Sequence, residues 1–494
     1  MSYTDALKDI SRTADRSVTQ QIIDVISAAI ASGELAPGDR LPATREIAEI
    51  VGVNHLTAVR AYRRMREHGQ VTARVGAGTF VRDPRTVDAP ADEPEWQRYV
   101  LPPTTPSAYT RAASSAYDAA SDPGLIPLAV GYPPTRMLPD ALWARHTADA
   151  LEDLGAGALQ YGPIEGVPAF REQLAHLQGE EPDDVMVVNG AMQGLSLAAR
   201  ALIRPGEAVA VESPTFMGTV EVLRQVGARM IPIPVDEDGI DVDELARIAV
   251  REDLRAVFLQ ARLQNPTGYD LSPARAERLV ELARRHAFFI IDDEVWAELR
   301  FGGDDPGPLR DLAPAHVITV GSFSKTLGGG LRLGWMRASG DMIERLALTK
   351  HSDDLHSPTL TQHAAARLLA AGDYPEHLAR IRDEYLRGRD LMLDALDRHL
   401  RPVARWTEPQ GGSSILVTLD ADLDDRTLLA EAERCGVSVV PGSALTSGPP
   451  ASTMVRLAYG YVEPDAIETG VRRLAQAIRA VGAERRARQA FPLS

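Results

Sequence analysis

Lys325 lies in Ser322-Phe323-Ser324-Lys325-Thr326, followed by Gly328-Gly329-Gly330-Leu331-Arg332. A lysine amine can condense with a carbonyl to a Schiff base, and the adjoining hydroxyls, glycines and Arg332 are groups that hold a phosphate. Four other segments place polar or aromatic groups where a bound ligand could meet them. Asp293 closes the apolar run Phe288–Ile291 with a carboxylate at a strand end. Gly190-Ala191-Met192-Gln193 follows the apolar run Val185–Val188 and opens a helix, so the backbone N–H groups of Ala191 and Met192 form an anion site. Asn265, in Gln264-Asn265-Pro266-Thr267-Gly268, offers an amide donor, and Phe216, in Ser213-Pro214-Thr215-Phe216, offers an aromatic face. Each feature alone is weak: Ser-x-Ser-Lys is common, and an aspartate at a strand end is more often a cap.

The elements around these residues alternate in type. Short β-like runs at Val185–Val188, Ala208–Val211, Ala256–Leu259, Phe288–Ile291 and Val317–Val320 are separated by long amphipathic helical patterns. That alternation predicts βα units and a mostly parallel sheet. After Arg332 a long helical stretch is expected, then a smaller C-terminal α+β subdomain from about Tyr385, with strands at Ser414–Leu419 and near Met454–Ala458.

The first 82 residues follow another pattern. Val18, Ile22, Val25, Ile26, Ala29 and Ile30 recur at helical spacing until Gly33 and Pro37-Gly38 stop the helix. A second helix from about Ala43 should bury Ile47, Ala48 and Val51. Gly52-Val53-Asn54 then turns the chain into a third helix, with Val59, Tyr62 and Met65 inward and Arg60, Arg63 and Arg64 mostly outward. Val71–Arg74, Gly76-Ala77-Gly78 and Thr79–Val81 read as a hairpin. Residues 83–108 are rich in Pro and Asp and read as a linker. A flexible chain of that length reaches ~25–30 Å root-mean-square, and its prolines would stiffen it.

Length and composition bound the possibilities. The 494 residues are too many for one compact core, and 44% hydrophobic with 25% charged residues is ordinary for a globular protein. The net charge of −16 argues against a nonspecific nucleic-acid binder, but the charge is uneven. Residues 1–85 hold 12 Lys and Arg against 10 Asp and Glu, and residues 54–85 alone carry +5, which is where a phosphate backbone could be gripped. Cys435 is the only cysteine, no apolar leader opens the chain, and no apolar run approaches the ~18 residues that span a bilayer. A cytoplasmic protein with no membrane contact and no metal site is expected.

The order of the ligand-facing segments resembles that of the class I/II aminotransferases of fold-type I, over roughly residues 125–480. The resemblance implies pyridoxal 5′-phosphate (PLP) as cofactor. Lys325 would form the Schiff base, Asp293 would keep the pyridine nitrogen protonated, and Asn265 would donate to the ring oxygen. Phe216 would stack on the ring, while Ala191, Met192, Ser322, Ser324 and Arg332 would hold the phosphate. It further implies a homodimer in which Tyr161, in Gln160-Tyr161-Gly162, reaches the phosphate of the partner subunit. Arg456, in Val455-Arg456-Leu457, would pair with an amino-acid carboxylate. Trp296 stands where these enzymes usually carry tyrosine. An indole donates but cannot relay a proton, so weak or absent transaminase turnover is expected.

Gly33 to Ala48 resembles the N-terminal domain of the GntR family of bacterial regulators, and Gly76-Ala77-Gly78-Thr79-Phe80-Val81 is similar to its wing. That resemblance implies a winged helix-turn-helix with the third helix in the major groove of double-stranded DNA. Arg45, Asn54, His55, Thr57 and Arg60 would contact DNA, with Gly76, Gly78 and Thr79 at the wing. The family usually shows Ser-Arg where this chain has Asn54-His55. The fusion resembles the MocR subfamily, which implies a transcriptional regulator that senses an amino compound or PLP through Lys325. The alternatives left open are an active aminotransferase with an accessory winged helix and a DNA-binding architectural or assembly protein whose second domain holds no cofactor.

Overall fold

The computed structural model describes residues 3–8, 10, 17–67, 69–74, 78–82 and 107–490. They belong to two compact units, Met1–Thr105 and Pro106–Ser494. Nearly all of the expected linker, with Trp96 and Tyr99, lies outside the described residues, as does Gly76.

In the first unit, α1 (Tyr3–Lys8), α2 (Val18–Ala31), α3 (Thr44–Val51) and α4 (His55–Glu67) precede a hairpin of β1 (Val71–Arg74) and β2 (Gly78–Val81). Ile22, Ile26 and Ala29 of α2, Ile47 and Ala48 of α3, and Ala58, Ala61, Tyr62 and Met65 of α4 are buried in one core. Val59 is only half-buried; the two alanines let α4 approach its neighbours closely. α1 was not foreseen, because six residues are too few to show a period, yet Leu7 is fully buried in that core. Val18, Val25, Ile30 and Val51 pack at its edge.

In the second unit an eight-stranded sheet runs in the order β4-β11-β10-β9-β8-β5-β6-β7. Its members are β4 (Val185–Val188), β5 (Ala208–Ser213), β6 (Arg229–Asp236), β7 (Gly239–Ile240), β8 (Leu254–Leu259), β9 (Phe289–Asp293), β10 (Val317–Ser322) and β11 (Gly334–Arg337). The five strands from β10 to β6 are parallel neighbours, whereas β11 is antiparallel to β4 and β10, and β7 to β6. The expected mostly parallel sheet is present; β4, β5 and β8 to β11 are almost wholly buried, as strands covered on both faces are, while β6 is largely exposed.

Three expectations are corrected here. Gly334–Arg337 is a strand, not the start of the helical stretch: its four residues are buried between β4 and β10, and so short a run in a sheet centre carries no alternation. The helices follow at Asp341–His351, Thr359–Ala370 and Asp373–His399. The subdomain boundary expected near Tyr385 falls inside the last of these, a 27-residue helix with Tyr385 fully buried. The first helix of the unit begins at Ala108, with Ser107 Oγ accepting from the Thr110 N–H, so the linker ends before residue 108.

Beyond that long helix, β12 (Ala404–Trp406), β13 (Ser414–Leu419), β15 (Val440–Pro441) and β16 (Met454–Ala458) form an antiparallel sheet in the order β12-β13-β16-β15. Val437–Ser438 (β14) instead pairs with Ile126–Pro127 (β3). Among the described residues no helix is long and apolar enough to cross a membrane.

Candidate cofactor site and DNA-reading unit

The carboxyl ends of the parallel strands converge, and ligands of open α/β sheets bind at that edge. Asp293 ends β9, the Phe216 segment follows β5, Gln260 follows β8, Lys325 follows β10, and Gly190 follows β4. Arg332 arrives at the same edge because β11 runs antiparallel.

The Lys325 amine donates to the Gly131 carbonyl at 2.8 Å and lies 4.8 Å from the centre of the Trp296 ring. Burial, and next the positive charge of Arg456, lower its pKa from 10.5 to about 8, with Asp293 opposing them. An amine shifted this way is a far better nucleophile near neutral pH than an exposed lysine. The following residue is held from the long helix: the Tyr374 hydroxyl lies 3.1 Å from Thr326 Oγ1 and 2.6 Å from Glu298 Oε2, and His377 Nε2 lies 2.7 Å from the Thr326 carbonyl. Tyr374 and His377 are one helical turn apart and were not singled out from the sequence.

Asp293 is buried, and burial raises its pKa from 3.8 to about 7. One oxygen, Oδ2, accepts from Gln260 Nε2 at 3.1 Å, while Oδ1 has no partner. A buried carboxylate oxygen without a donor is costly, and a protonated ring nitrogen is the donor it lacks. Asn265 is buried with its Oδ1 3.5 Å from Arg456 Nη1. Arg456 Nη2 donates to the Ala129 carbonyl at 2.8 Å, its Nε is unpartnered, and burial lowers its pKa to about 10. Asn265 and Arg456 thus share the cleft with Lys325.

The phosphate cradle is assembled from the expected residues. The helix Ala191–Leu202 starts at Gly190 (φ +82°) without a side-chain cap; the Gln193 N–H donates to the Gly190 carbonyl at 3.1 Å, which leaves the Ala191 and Met192 N–H groups at the helix start for a ligand. Arg332 folds over this turn: its Nη2 donates to the Asn189 carbonyl at 2.6 Å, and a Cβ on Gly190 would stand 2.7 Å from that atom. Arg332 itself adopts φ +52°, unusual for a side-chain-bearing residue and consistent with a constrained site. Ser322 Oγ is committed inside the loop, 3.0 Å from the Leu333 carbonyl and 2.9 Å from Ser324 Oγ, and it accepts from the Ser324 N–H. Ser324 is the more available hydroxyl of the two. Gln193 does not face the cradle; its Oε1 accepts from the Asn189 N–H and its Nε2 donates to Asp354. Phe216 and Met192 converge above Gly218, where a Cβ would stand 2.4 Å from the ring and 2.7 Å from the Met192 sulfur. Tyr161 is not drawn into this cleft: it is 78% exposed, with its ring edge-on to His356 at 5.2 Å.

These groups fit PLP. The partnerless Asp293 oxygen, the open helix start under Arg332 and the activated Lys325 amine each match one end of that molecule.

In the first unit, Arg45, Asn54, His55 and Arg60 are exposed, and Thr57 is half-buried. Asn54 Oδ1 accepts from the Leu56 N–H at 2.9 Å and so caps α4. His55 Nε2 lies 2.9 Å from Thr44 Oγ1, joining the starts of α3 and α4. Exposed Gly78 sits at φ +117°, and a Cβ there would stand 3.0 Å from Arg40 Nε, which places Arg40 against the wing beside half-buried Thr79. Arg40 lies within the Gly33 to Ala48 run, but its approach to the wing depends on the fold and not on the run itself.

Comparison with known proteins decides the family. The chain matches the aminotransferase class I and II family over residues 123–474. It belongs to that family. Residues 18–81 match the bacterial regulatory proteins of the gntR family, so the first unit is a DNA-binding helix-turn-helix domain. An aromatic-amino-acid aminotransferase of Thermococcus litoralis is 32% identical over 72% of this chain and 88% of its own length. Two relatives match nearly end to end. The uncharacterized HTH-type transcriptional regulator YisV of Bacillus subtilis is 29% identical over 95% of this chain and 97% of its own. The probable rhizopine catabolism regulatory protein MocR of Rhizobium meliloti is 27% identical over 96% of each. Among solved structures, the α-aminoadipate aminotransferase LysN of Thermus thermophilus, complexed with N-(5′-phosphopyridoxyl)-L-leucine, superposes with a TM-score of 0.70 at 30% identity, over 76% of this chain and 99% of that one. Membership of this family implies PLP as the cofactor.

Proposed function

We propose that this chain is a PLP-dependent DNA-binding transcriptional regulator whose aminotransferase-like unit senses an amino compound, or PLP itself, through Lys325. The observation that carries the reading is the presence on one polypeptide of a gntR-type DNA-binding domain and a constellation of half-buried Lys325 with buried Asp293 and Arg456, suited to a cofactor and an amino acid. The end-to-end likeness to regulators, rather than to enzymes alone, supports it.

When bound, PLP supplies an aldehyde and an electron-withdrawing ring. The chain supplies the rest. Lys325 presents a largely desolvated amine, released from Gly131 when it reacts. Asp293 holds a proton on the ring nitrogen, Asn265 donates toward the ring oxygen, and Phe216 covers the ring. Ala191, Met192, Ser324 and Arg332 anchor the phosphate, with Ser322 clasping the loop. Arg456, given a carboxylate, exchanges the Ala129 carbonyl for a two-pronged ion pair. An effector amine bound at this site in place of Lys325 would free that side chain and loosen the hold of Tyr374 and His377 on Thr326. Coupling of ~1–3 kcal/mol between this event and DNA affinity is enough for a switch.

A homodimer is part of the proposal. Leu159 and Tyr161, 84% and 78% exposed, lie in the Gly155–Tyr161 segment beside Leu355 and His356, a surface that a second copy would cover while Tyr161 reaches the partner's phosphate. Arg45, Asn54, His55, Thr57 and Arg60, with Gly76, Gly78 and Thr79 at the wing, are assigned to DNA.

The gathering of Lys325, Asp293, Asn265 and Arg456 in one cleft also favours a second reading, an active aminotransferase with an accessory DNA-binding domain. Borohydride reduction of the purified protein followed by peptide mapping tests the common premise: a reduced adduct on Lys325 is expected, and a colourless protein that takes up no PLP rejects both readings. Rapid conversion of the cofactor to its amine form by an amino acid would favour the enzyme.

A further inference from the structure

One buried amide joins the two residues assigned above to the nitrogen and the oxygen of the cofactor ring. Gln260, 3% exposed at the end of β8, donates through Nε2 to Asp293 Oδ2 at 3.1 Å and lies 3.3 Å from the Asp293 carbonyl. Its Oε1 accepts from the Asn265 N–H at 2.8 Å, and its own N–H donates to Glu212 Oε2 at 3.1 Å. The Asn265 N–H can only be a donor, so the amide orientation is fixed: oxygen toward Asn265, nitrogen toward Asp293.

This arrangement has a chemical consequence. A carboxylate in a buried site takes a proton unless donors hold it ionised. The charges facing Asp293 are Lys325 from the β10 loop, Glu294 next along the chain, and Asp292 and Glu212 from β9 and β5. Burial raises the pKa values of both Asp292 and Glu212. Lys325, on Schiff-base formation, ceases to be a free ammonium. The Val295 N–H also bonds the Asp293 carboxylate from the backbone, and Gln260 Nε2 is then its neutral side-chain donor, on Oδ2, leaving Oδ1 to the ring.

We propose that Gln260 is the positioning residue of this cofactor site, holding Asp293 ionised with one oxygen presented to the ring nitrogen while fixing the backbone of Asn265, the residue assigned to the ring oxygen. The inference rests on the PLP reading above and goes beyond it, because no aminotransferase motif in the chain includes residue 260.

The test uses full-length protein, wild type against Gln260→Met and Gln260→Glu, both close to glutamine in length. The readouts are the PLP dissociation constant, the pH midpoint of the visible band of the loaded protein, and the far-UV spectrum of the apo form. Gln260→Met removes the donor, so PLP affinity falls at least tenfold. The pH midpoint moves up by a unit or more, because a ring that has lost its proton withdraws less charge from the lysine nitrogen. Gln260→Glu behaves like wild type at low pH, where its carboxyl holds a proton to donate, and like Gln260→Met once that proton is lost. Wild-type affinity and midpoint in both variants would overturn the role of Gln260 alone, as would loss of the apo fold in both, which would mark a purely structural residue. A wild-type protein that takes up no PLP would overturn the cofactor reading and the role of Gln260 with it.

Discussion

The Lys325 amine faces the π surface of Trp296, 4.8 Å from its centre, where the aminotransferase pattern carries a phenol. An indole face steadies a cation by ~0.5–2 kcal/mol but supplies no hydroxyl to the ring oxygen or to a migrating proton. Trp296→Tyr should therefore raise the rate of half-transamination about tenfold or more, equivalent to ~1.4 kcal/mol of barrier, with the Lys325 adduct retained. Stopped-flow absorbance with an amino-acid donor measures this; an unchanged rate would show that Trp296 does not limit turnover.

Capture of PLP by the apo protein should depend on the Lys325 ionisation. Below its pKa of about 8 the neutral fraction rises tenfold per pH unit, and above it the rate levels off. Arg456→Leu removes the cation that helps depress that pKa, so the midpoint should move upward. The rate of growth of the visible band against pH reads both.

Asp293 makes the site at the expense of the fold. Its folded pKa of about 7 lies above its usual 3.8, so folded and unfolded chains both hold the proton at low pH and no penalty exists there. As pH rises from 4 to 7 the unfolded chain ionises first and stability falls, by up to about 4 kcal/mol once both have ionised. Apo Asp293→Asn should thus melt near the wild-type temperature at pH 4 and above it at pH 8, while losing PLP affinity at both. Differential scanning fluorimetry across that range is the check.

In the DNA-binding domain, Arg60 and Asn54 should separate. Arg60→Ala removes an exposed cation, so the affinity for DNA falls and the salt dependence becomes shallower by about one ion, with unchanged melting. Asn54→Ala removes the cap on α4 and should cost about 1 kcal/mol of domain stability. Fluorescence anisotropy at several salt concentrations and thermal melts of the same proteins distinguish them.

Much of this was legible in the sequence because it rests on local signals. Strands β4, β5, β8, β9 and β10 are apolar runs bounded by turns, and the residues following β4, β5, β9 and β10 carried the motif. What escaped depends on contacts distant in sequence. β11 is four residues whose strand character comes from being clamped between β4 and β10. Gln260 is an unremarked amide until folding sets it between Asp293 and Asn265. Tyr374 and His377 read as ordinary helix residues, and only the tertiary fold brings them onto Thr326.

The most direct test of the central claim is the affinity of full-length, PLP-loaded protein for a DNA fragment recovered by binding-site selection, measured by anisotropy while amines are titrated in, for wild type and Lys325→Ala. An amine which perturbs the visible band should also change wild-type DNA affinity about 5- to 150-fold, as a coupling of ~1–3 kcal/mol requires, and Lys325→Ala should bind the same DNA without responding. An equal response in Lys325→Ala, or a wild-type affinity indifferent to every amine that perturbs the band, would contradict that claim.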